Sequence, residues 1–274
     1  MPRLTTPAPS VSARLLSVLE AFGPGSTRLT LSDLSRRTGL PLTTTHRLVG
    51  ELTTWGALER DADGRYQIGL RLWEIGALAP RGHGLRETAM PFLEDLYEAT
   101  HQNVQLAVLD GHEAVFLERL SGREAVHVFT RVGGRLPVHA TGVGLVLLAH
   151  APKAVQEEVI AGPLKRFTEK TIPNGPALRR VLADVRRQGF AISNGQIELV
   201  ALSVAAPVHG PDDSVIAAIS LVVPSEDSDA YALLTAVRAA ARGISRALGS
   251  PSARRVPRSV RRETFSAPEG LRRR

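Results

Sequence analysis

The chain contains no cysteine. This absence excludes disulfide bonds, thiolate catalysis and every cysteine-ligated zinc or iron–sulfur site. Aromatic residues make up only 4% of the chain, so its core must be built from aliphatic side chains, and an aromatic surface for single-stranded nucleic acid is not expected. No apolar run approaches the ~18 residues that span a bilayer, and the first residues do not show a signal-peptide pattern. We therefore expect a soluble, cytoplasmic protein that does not contact a membrane.

Catalytic and metal-binding motifs are also missing. His112-Glu113 begins like a zinc-protease helix, but Phe116 occupies the place of the second histidine. The segment that begins at Gly142-Val143-Gly144 lacks the third glycine of a dinucleotide-binding fingerprint. The segment at Gly243 lacks the last glycine of a nucleophile elbow. The sequence thus predicts no catalytic residues, no metal site, no cofactor and no enzymatic activity.

Positive charge is concentrated at the C-terminus. The formal net charge is +7, of which residues 1–80 carry +2, residues 81–249 carry −1 and residues 250–274 carry +6. A DNA-binding surface in the folded part must therefore separate basic from acidic side chains by position. Residues 1–9 and 250–274 show no apolar periodicity, and we expect both to be disordered. The arginine-rich tail either adds non-specific affinity for DNA or only aids solubility.

Residues 10–69 show the pattern of a winged helix-turn-helix domain. Ser10 is the N-cap of a first helix, Thr30 begins a second, and Gly39 separates the second from a third. The apolar stripe predicted for the third helix is Leu42, Thr45, Leu48, Val49 and Leu52. The opposite face carries the candidate DNA-reading residues Thr43, Thr44, His46 and Arg47. Short hydroxyl side chains let a helix approach the major groove, and arginine can bind a guanine edge or a phosphate.

A short hairpin follows the third helix. Two strands around an Asp-Gly turn are typical of a wing, and Arg65 at its tip is a candidate for contact with the DNA backbone or minor groove. An ordinary solvated three-helix bundle with a surface arginine on a hairpin is the alternative. Residues 70–84 are predicted to hold a linker helix and the domain boundary.

Residues 85–249 alternate between helical patterns and short apolar strands. Asp110-Gly111 is a predicted hairpin turn, and Val126–Arg131 is one of the predicted strands. This order favours an α+β domain with helices packed on one sheet over a parallel doubly wound sheet.

Four segments resemble the IclR family of bacterial transcriptional regulators. They are GLPLTTTHRLVGEL at 39–52, YQIGLRLWEIG at 66–76, LPVHATGVG at 136–144 with LVLLA after it, and GFA at 189–191 with SVAAPV at 203–208. The resemblance covers about residues 10–248 in the family's order. It implies a winged helix-turn-helix, a linker helix and a GAF-like α/β effector-binding domain, assembled as a homodimer or a dimer of dimers.

The resemblance also implies a small effector pocket against the sheet of the second domain. By position, its residues are the backbone amides of Gly142 and Val143, the apolar side chains of Val128 and Leu136, and the hydroxyl groups of Ser193, Ser203 and Ser220. Ser193 replaces a common acidic residue and Val222 replaces a serine, which predicts a less polar pocket. Two amides at a helix N-terminus favour an effector with a carboxylate or carbonyl group, such as a small metabolite or an aromatic acid.

The favoured hypothesis is a sequence-specific transcriptional regulator, with repression favoured over activation, whose binding to a double-stranded operator is modulated by a small-molecule effector. Two alternatives stay open. One is a constitutive DNA-binding regulator with a vestigial pocket. The other is a small-molecule binding protein or enzyme whose N-terminal helices serve only dimerisation.

Overall fold

The computed structural model describes residues 9–23, 25–79, 83–226 and 228–254. The chain forms two compact units that divide between His83 and Gly84. Within the described residues, no helix is both long enough and apolar enough to cross a membrane.

The first unit contains three helices, a two-stranded hairpin and a short fourth helix. Its elements are α1 (Val11–Glu20), α2 (Leu31–Thr38), α3 (Leu42–Trp55), β1 (Leu58–Arg60), β2 (Tyr66–Ile68) and α4 (Leu70–Gly76). The hairpin is antiparallel and places Glu59 opposite Gln67. The fully buried side chains of Val18, Leu34 and Leu48 join the three helices in one aliphatic core. The predicted helix-turn-helix and wing are therefore present.

Local signals set the ends of these helices. The Ser10 side chain accepts a hydrogen bond from the Ala13 amide, and Thr30 and Asp33 form a reciprocal capping box at the start of α2. The hydrogen bonds that Thr30 donates hold the pKa of the Asp33 carboxyl below its usual value. Gly39 adopts φ 69°, a left-handed conformation that favours glycine and ends α2.

One residue of the predicted apolar stripe of α3 is not buried. Thr45, Leu48, Val49 and Leu52 are buried, but the Leu42 side chain is 51% exposed, so its predicted burial was wrong. Leu42 is the first residue of α3. Helical side chains lean toward the N-terminus, so a side chain in the first turn projects beyond the helix and away from its packed face.

The second unit is an α+β fold around a six-stranded antiparallel sheet in the order β5-β4-β3-β8-β7-β6. The strands are β3 (Asn103–Asp110), β4 (Glu113–Leu120), β5 (Arg135–Pro137), β6 (Ala191–Asn194), β7 (Ala201–His209) and β8 (Val215–Pro224). The helices are α5 (His83–Thr100), α6 (Gly142–His150), α7 (Lys153–Ala161), α8 (Gly175–Gln188), α9 (Ala230–Ala247) and α10 (Pro251–Arg254).

The two faces of this sheet bury different helices. Side chains of α5 and α9 pack on one face, and those of α6, α7 and α8 pack on the other. Helix α6 is apolar on every side, and all residues from Gly142 to Ala149 are buried. A helix without a polar face must be covered all around, so α6 lies inside the second unit, between the sheet and α8.

Two sequence predictions about irregular segments were wrong. Val126–Arg131 is not a strand; it belongs to residues 121–134, which we call the pocket loop and which contain no strand. Side chains satisfy the backbone there, since Asn103 Nδ2 donates to the Val126 carbonyl (2.7 Å) and Arg119 Nη1 donates to the Thr130 carbonyl (2.7 Å). These hydrogen bonds take the place of the backbone hydrogen bonds that a strand would make with a neighbouring strand.

The second correction concerns the tail. Residues 251–254 form the short helix α10, because Ser250 Oγ and the Ser252 amide both donate to Asp213 Oδ1, at 2.5 and 3.0 Å. The remainder of the predicted disordered tail, and residues 1–8 at the other end, lie outside the described residues.

An ion pair fixes the start of α5 against the sheet. Arg86, in the first turns of α5, donates to Glu118 Oε2 on β4 at 2.6 Å. Glu118 is only 6% exposed, and its other oxygen accepts from the Arg119 amide at 2.8 Å. A buried carboxylate without its cation costs on the order of several kcal/mol, so this pair holds α5 in one position on β4.

Candidate DNA-binding face and effector pocket

The face of α3 opposite the core carries all four predicted DNA-reading residues. Thr43, His46 and Arg47 are exposed, and Thr44 is partly exposed. Residues three and four apart on a helix are neighbours, so these side chains form one patch. Thr45 points the other way, where its hydroxyl donates to the Pro41 carbonyl at 3.1 Å and is fully buried.

Arg47 is not free in this structure. Its guanidinium forms an ion pair with Glu51, one turn further along α3. Both side chains are about half exposed, at 54% and 49%, and exposed ion pairs of this kind contribute at most ~1 kcal/mol. The pair therefore orients Arg47 without locking it, but it places a carboxylate on the face that a phosphate backbone would approach.

The two arginines of the wing have different roles. Arg60 Nε donates to the Gly64 carbonyl at 3.1 Å, and its guanidinium lies 5.6 Å from the centre of the Tyr66 ring. Arg65 is exposed, and the hydrogen bonds described for it involve its backbone: its amide donates to Asp61 Oδ1 at 2.9 Å and its carbonyl accepts from the Asp61 amide at 2.8 Å. Arg60 thus holds the hairpin, and Arg65 is the cation presented at its tip.

The second unit contains a pocket between the sheet, the N-terminus of α6 and the pocket loop. Its cavity volume is about 60 Å³, within about 460 Å³ of empty space that includes the open mouth. The structure brings six of the seven predicted effector residues to its wall: Val128, Leu136, Gly142, Val143, Ser193 and Ser203. Phe116 and Val222 add apolar surface to the same wall.

Helix α6 supplies hydrogen-bond donors at one end of the pocket. The Thr141 hydroxyl accepts from the Gly144 amide at 3.1 Å. The amides of Gly142 and Val143 come before it, and the first amides of an α-helix have no acceptor within the helix. A Cβ atom on Gly142 would lie 2.6 Å from Ser203 Oγ. Only a glycine at this position lets the helix end approach the strand so closely.

Ser220 does not line the pocket, in contrast to the other six predicted residues. It is fully buried, and its hydroxyl donates to Gln105 Oε1 at 3.3 Å. Gln105 is a wall residue, and its Nε2 donates to Thr130 Oγ1 at 2.6 Å. Ser220 is therefore not a wall residue; its hydrogen bond helps to hold Gln105 in place against the pocket loop.

Five polar wall residues were not among the predicted effector residues: Gln105, Thr130, Thr141, Gln196 and Glu198. Gln105 had a detectable signal, since it is the only amide within the apolar run Val104–Leu109; in the structure it is 3% exposed. Glu198 and Gln196 lie in the connection between β6 and β7 and also reach the wall. Such a connection has no periodicity from which the direction of its side chains could be predicted.

Glu198 is held by one oxygen only. Its Oε1 accepts from the Phe129 amide of the pocket loop at 2.8 Å, whereas Oε2 is buried and has no hydrogen-bond partner among the described residues. Burial lowers the pKa of the nearby Arg119 guanidinium, and the negative charge of Glu198 opposes that shift.

A winged helix-turn-helix followed in the chain by a domain with a largely apolar pocket is the architecture of a DNA-binding transcriptional regulator with a sensing domain. The comparisons agree with this class. Residues 12–62 match the model of the IclR helix-turn-helix domain, and residues 79–246 match that of the bacterial transcriptional regulator IclR C-terminal domain. The chain belongs to the IclR family.

Individual relatives align over nearly their whole length. The HTH-type transcriptional regulator XynR of Escherichia coli is 33% identical over 244 residues, which are 87% of this chain and 97% of XynR. KipR of Bacillus subtilis is 32% identical over 81% of this chain and 90% of KipR. An IclR homologue from Microbacterium hydrocarbonoxydans, solved in complex with 4-hydroxybenzoate, is 43% identical with a TM-score of 0.83, covering 87% of this chain and 99% of that one.

The close approach at Gly142 leads to a stability prediction. Gly142→Ala should lower the free energy of unfolding by about 1–3 kcal/mol, because the new methyl group overpacks against Ser203. Adding Ser203→Ala should recover part of this loss, since the two residues are in contact and their effects do not add. Urea unfolding of the purified proteins measures both.

The matched control is Gly84→Ala in α5, where an added Cβ meets nothing within 4 Å. That change should leave stability equal or slightly higher. A Gly142→Ala protein as stable as the Gly84→Ala protein would show that the helix is not held against the strand as described.

Proposed function

We propose that the face of α3 with Thr43, Thr44, His46 and Arg47 reads the operator in the major groove, and that Arg65 of the wing contacts the adjacent backbone or minor groove. The exposure of these side chains on one helix face supports the proposal, as does the separate structural use of Arg60. The module formed by residues 1–80 carries only +2. Phosphate attraction alone is then weak, and specific binding depends on few contacts.

The pocket is the effector site in this proposal, and the effector is a small aromatic carboxylate. The observation that carries it is the combination of apolar walls from Phe116, Val128 and Val222 with two helix amides at one end. In this proposal a flat ring packs between the apolar walls, and its carboxylate accepts hydrogen bonds from the amides of Gly142 and Val143. The 4-hydroxybenzoate complex of the Microbacterium relative supports the same ligand class.

The proposed assembly is a homodimer, which further contacts can extend to a dimer of dimers. Helix α4 and the residues after it leave large apolar side chains in solvent, with Leu70 62%, Trp73 66% and Leu78 80% exposed. An exposed apolar cluster of this kind is typical of an interaction surface. Pairing also doubles the number of DNA contacts of a weakly charged module.

The DNA-binding proposal predicts opposite effects for the two members of the α3 ion pair. Arg47→Ala should weaken binding to a duplex selected from a random library by about 10-fold or more, because a base or phosphate contact is lost. Glu51→Gln should maintain or raise the affinity, since it frees Arg47 and removes a carboxylate from the face. Fluorescence anisotropy with the selected duplex measures each.

Arg187→Ala serves as the control, because Arg187 is an exposed arginine of the second unit paired with Asp184. Equal affinities for the Arg47→Ala and Arg187→Ala proteins would contradict the assignment of α3 as the reading helix.

The effector proposal predicts that 4-hydroxybenzoate binds the full chain and changes its operator affinity about 5-fold or more, the usual range of allosteric coupling. Calorimetry measures binding, and anisotropy with increasing ligand measures the coupling. Gly142→Ala should weaken ligand binding while operator binding without ligand is kept. Binding without any change in operator affinity would favour a constitutive regulator instead.

The assembly proposal predicts a molar mass of at least twice the 29.4 kDa of one chain in light scattering. Trp73→Lys should reduce that mass at low protein concentration, because it places a charge in the apolar cluster. Tyr231→Lys, at a 67% exposed aromatic residue of α9, is the control and should leave it unchanged. A single-chain mass for the wild-type protein would exclude the homodimer.

A further inference from the structure

Two residues of the pocket wall each carry a buried oxygen atom that the described part of the protein leaves without a hydrogen-bond partner. Both Glu198 Oε2 and Gln196 Oε1 lack a hydrogen bond within the described part of the chain, and both residues lie on the pocket wall. Buried polar atoms are rarely left unpaired, because each loses its bonds to water on folding. Two such acceptors on one wall indicate that the bound molecule brings a hydrogen-bond donor.

The position of Glu198 is fixed from two sides. Its Oε1 accepts from the Phe129 amide at 2.8 Å, and its backbone carbonyl accepts from the Ala201 amide at 3.1 Å. The pocket loop thus binds one oxygen of the carboxylate and leaves the other without a hydrogen bond among the described residues. Oε2 is therefore held as a preformed acceptor, which costs little ordering when a ligand binds.

Strand β7 separates these acceptors from the donors of α6. Ala201, at its start, lies next to Glu198, whereas Ser203 lies against Gly142. Both residues line the pocket and are two positions apart, which corresponds to ~7 Å along a strand. The wall between the two ends is apolar, with Phe116, Val143 and Val222.

We infer that the effector is an aromatic carboxylate with a hydroxyl or amino group opposite the carboxylate, and that Glu198, assisted by Gln196, selects it by accepting a hydrogen bond from that group. The inference rests on the proposed effector function of this pocket. Charge fixes the orientation of the ligand, because its carboxylate is repelled by Glu198 and attracted by the α6 amides. A ring without a donor leaves the Glu198 oxygen buried and unpaired, and binds less tightly for that reason.

The test compares ligands of nearly equal size on the full-length protein. Calorimetry with benzoate, 4-fluorobenzoate, 4-aminobenzoate and 4-hydroxybenzoate separates shape from hydrogen-bond donation, because fluorine occupies the space of a hydroxyl group and donates nothing. We expect the amino and hydroxyl compounds to bind at least ~10-fold more tightly than 4-fluorobenzoate, as one charge-assisted hydrogen bond predicts.

The variant Glu198→Gln gives the second measurement. Glutamine keeps the shape and can still accept from the Phe129 amide with its oxygen, but it presents an NH₂ group to the pocket in place of Oε2. The preference for 4-aminobenzoate over 4-fluorobenzoate should then fall to within ~3-fold. Glu94→Gln, at an exposed position of α5, is the matched control and should retain the wild-type preference.

The outcomes distinguish the role of Glu198 from the proposal that the effector is an aromatic acid. Equal affinity of the wild-type protein for 4-fluorobenzoate and 4-hydroxybenzoate would overturn the role of Glu198 while leaving an aromatic acid as effector. An unchanged preference in Glu198→Gln would overturn it as well. If none of the four compounds binds, the aromatic acid assignment is lost and this inference with it.

Discussion

The sensing domain depends on how closely the N-terminus of α6 approaches the sheet. Gly142 meets Ser203 of β7, and a Cβ on Gly144 would lie 2.5 Å from both Thr141 Oγ1 and the Val138 backbone. Because two of the first three residues of the helix have no side chain, its free amides reach the strand surface. The same apolar helix is the centre of the core on that side of the sheet, so pocket and core share one element.

In the DNA-binding unit, many basic side chains are paired within the unit itself. Five of the eight arginines in its described part have polar partners there: Arg28 with Asp61, Arg36 with Asp33, Arg37 with the Ala21 carbonyl, Arg47 with Glu51, and Arg60 with the Gly64 carbonyl. Few cations are left for phosphates, which agrees with the small net charge of this part of the chain. In the proposed homodimer, affinity that rests on so few contacts depends on the spacing of the two DNA-binding units, which gives the effector-binding domain a way to control it.

The sequence predicts local structure well where one residue carries the signal. Ser10, Thr30 and Gly39 mark helix ends through their own side chains or backbone conformation, and the structure confirms all three. Features that depend on contacts between residues distant in sequence were predicted less well. The strand expected at Val126–Arg131 is a loop, since side chains distant in sequence satisfy its backbone. Six predicted pocket residues lie on one wall, but Glu198 was missed because the direction of a side chain in a connection depends on tertiary contacts.

Strand β4 joins two parts of the second unit through adjacent residues. Glu118 binds Arg86 at the start of α5, and Arg119 binds the Thr130 carbonyl in the pocket loop. Neighbouring side chains on a strand point to opposite faces, so this dipeptide links one side of the sheet to the other. The loop that covers the pocket and the helix that begins the second unit are thus anchored to the same peptide bond. A displacement of the loop and a tilt of that helix therefore both act on the same two residues of β4, Glu118 and Arg119.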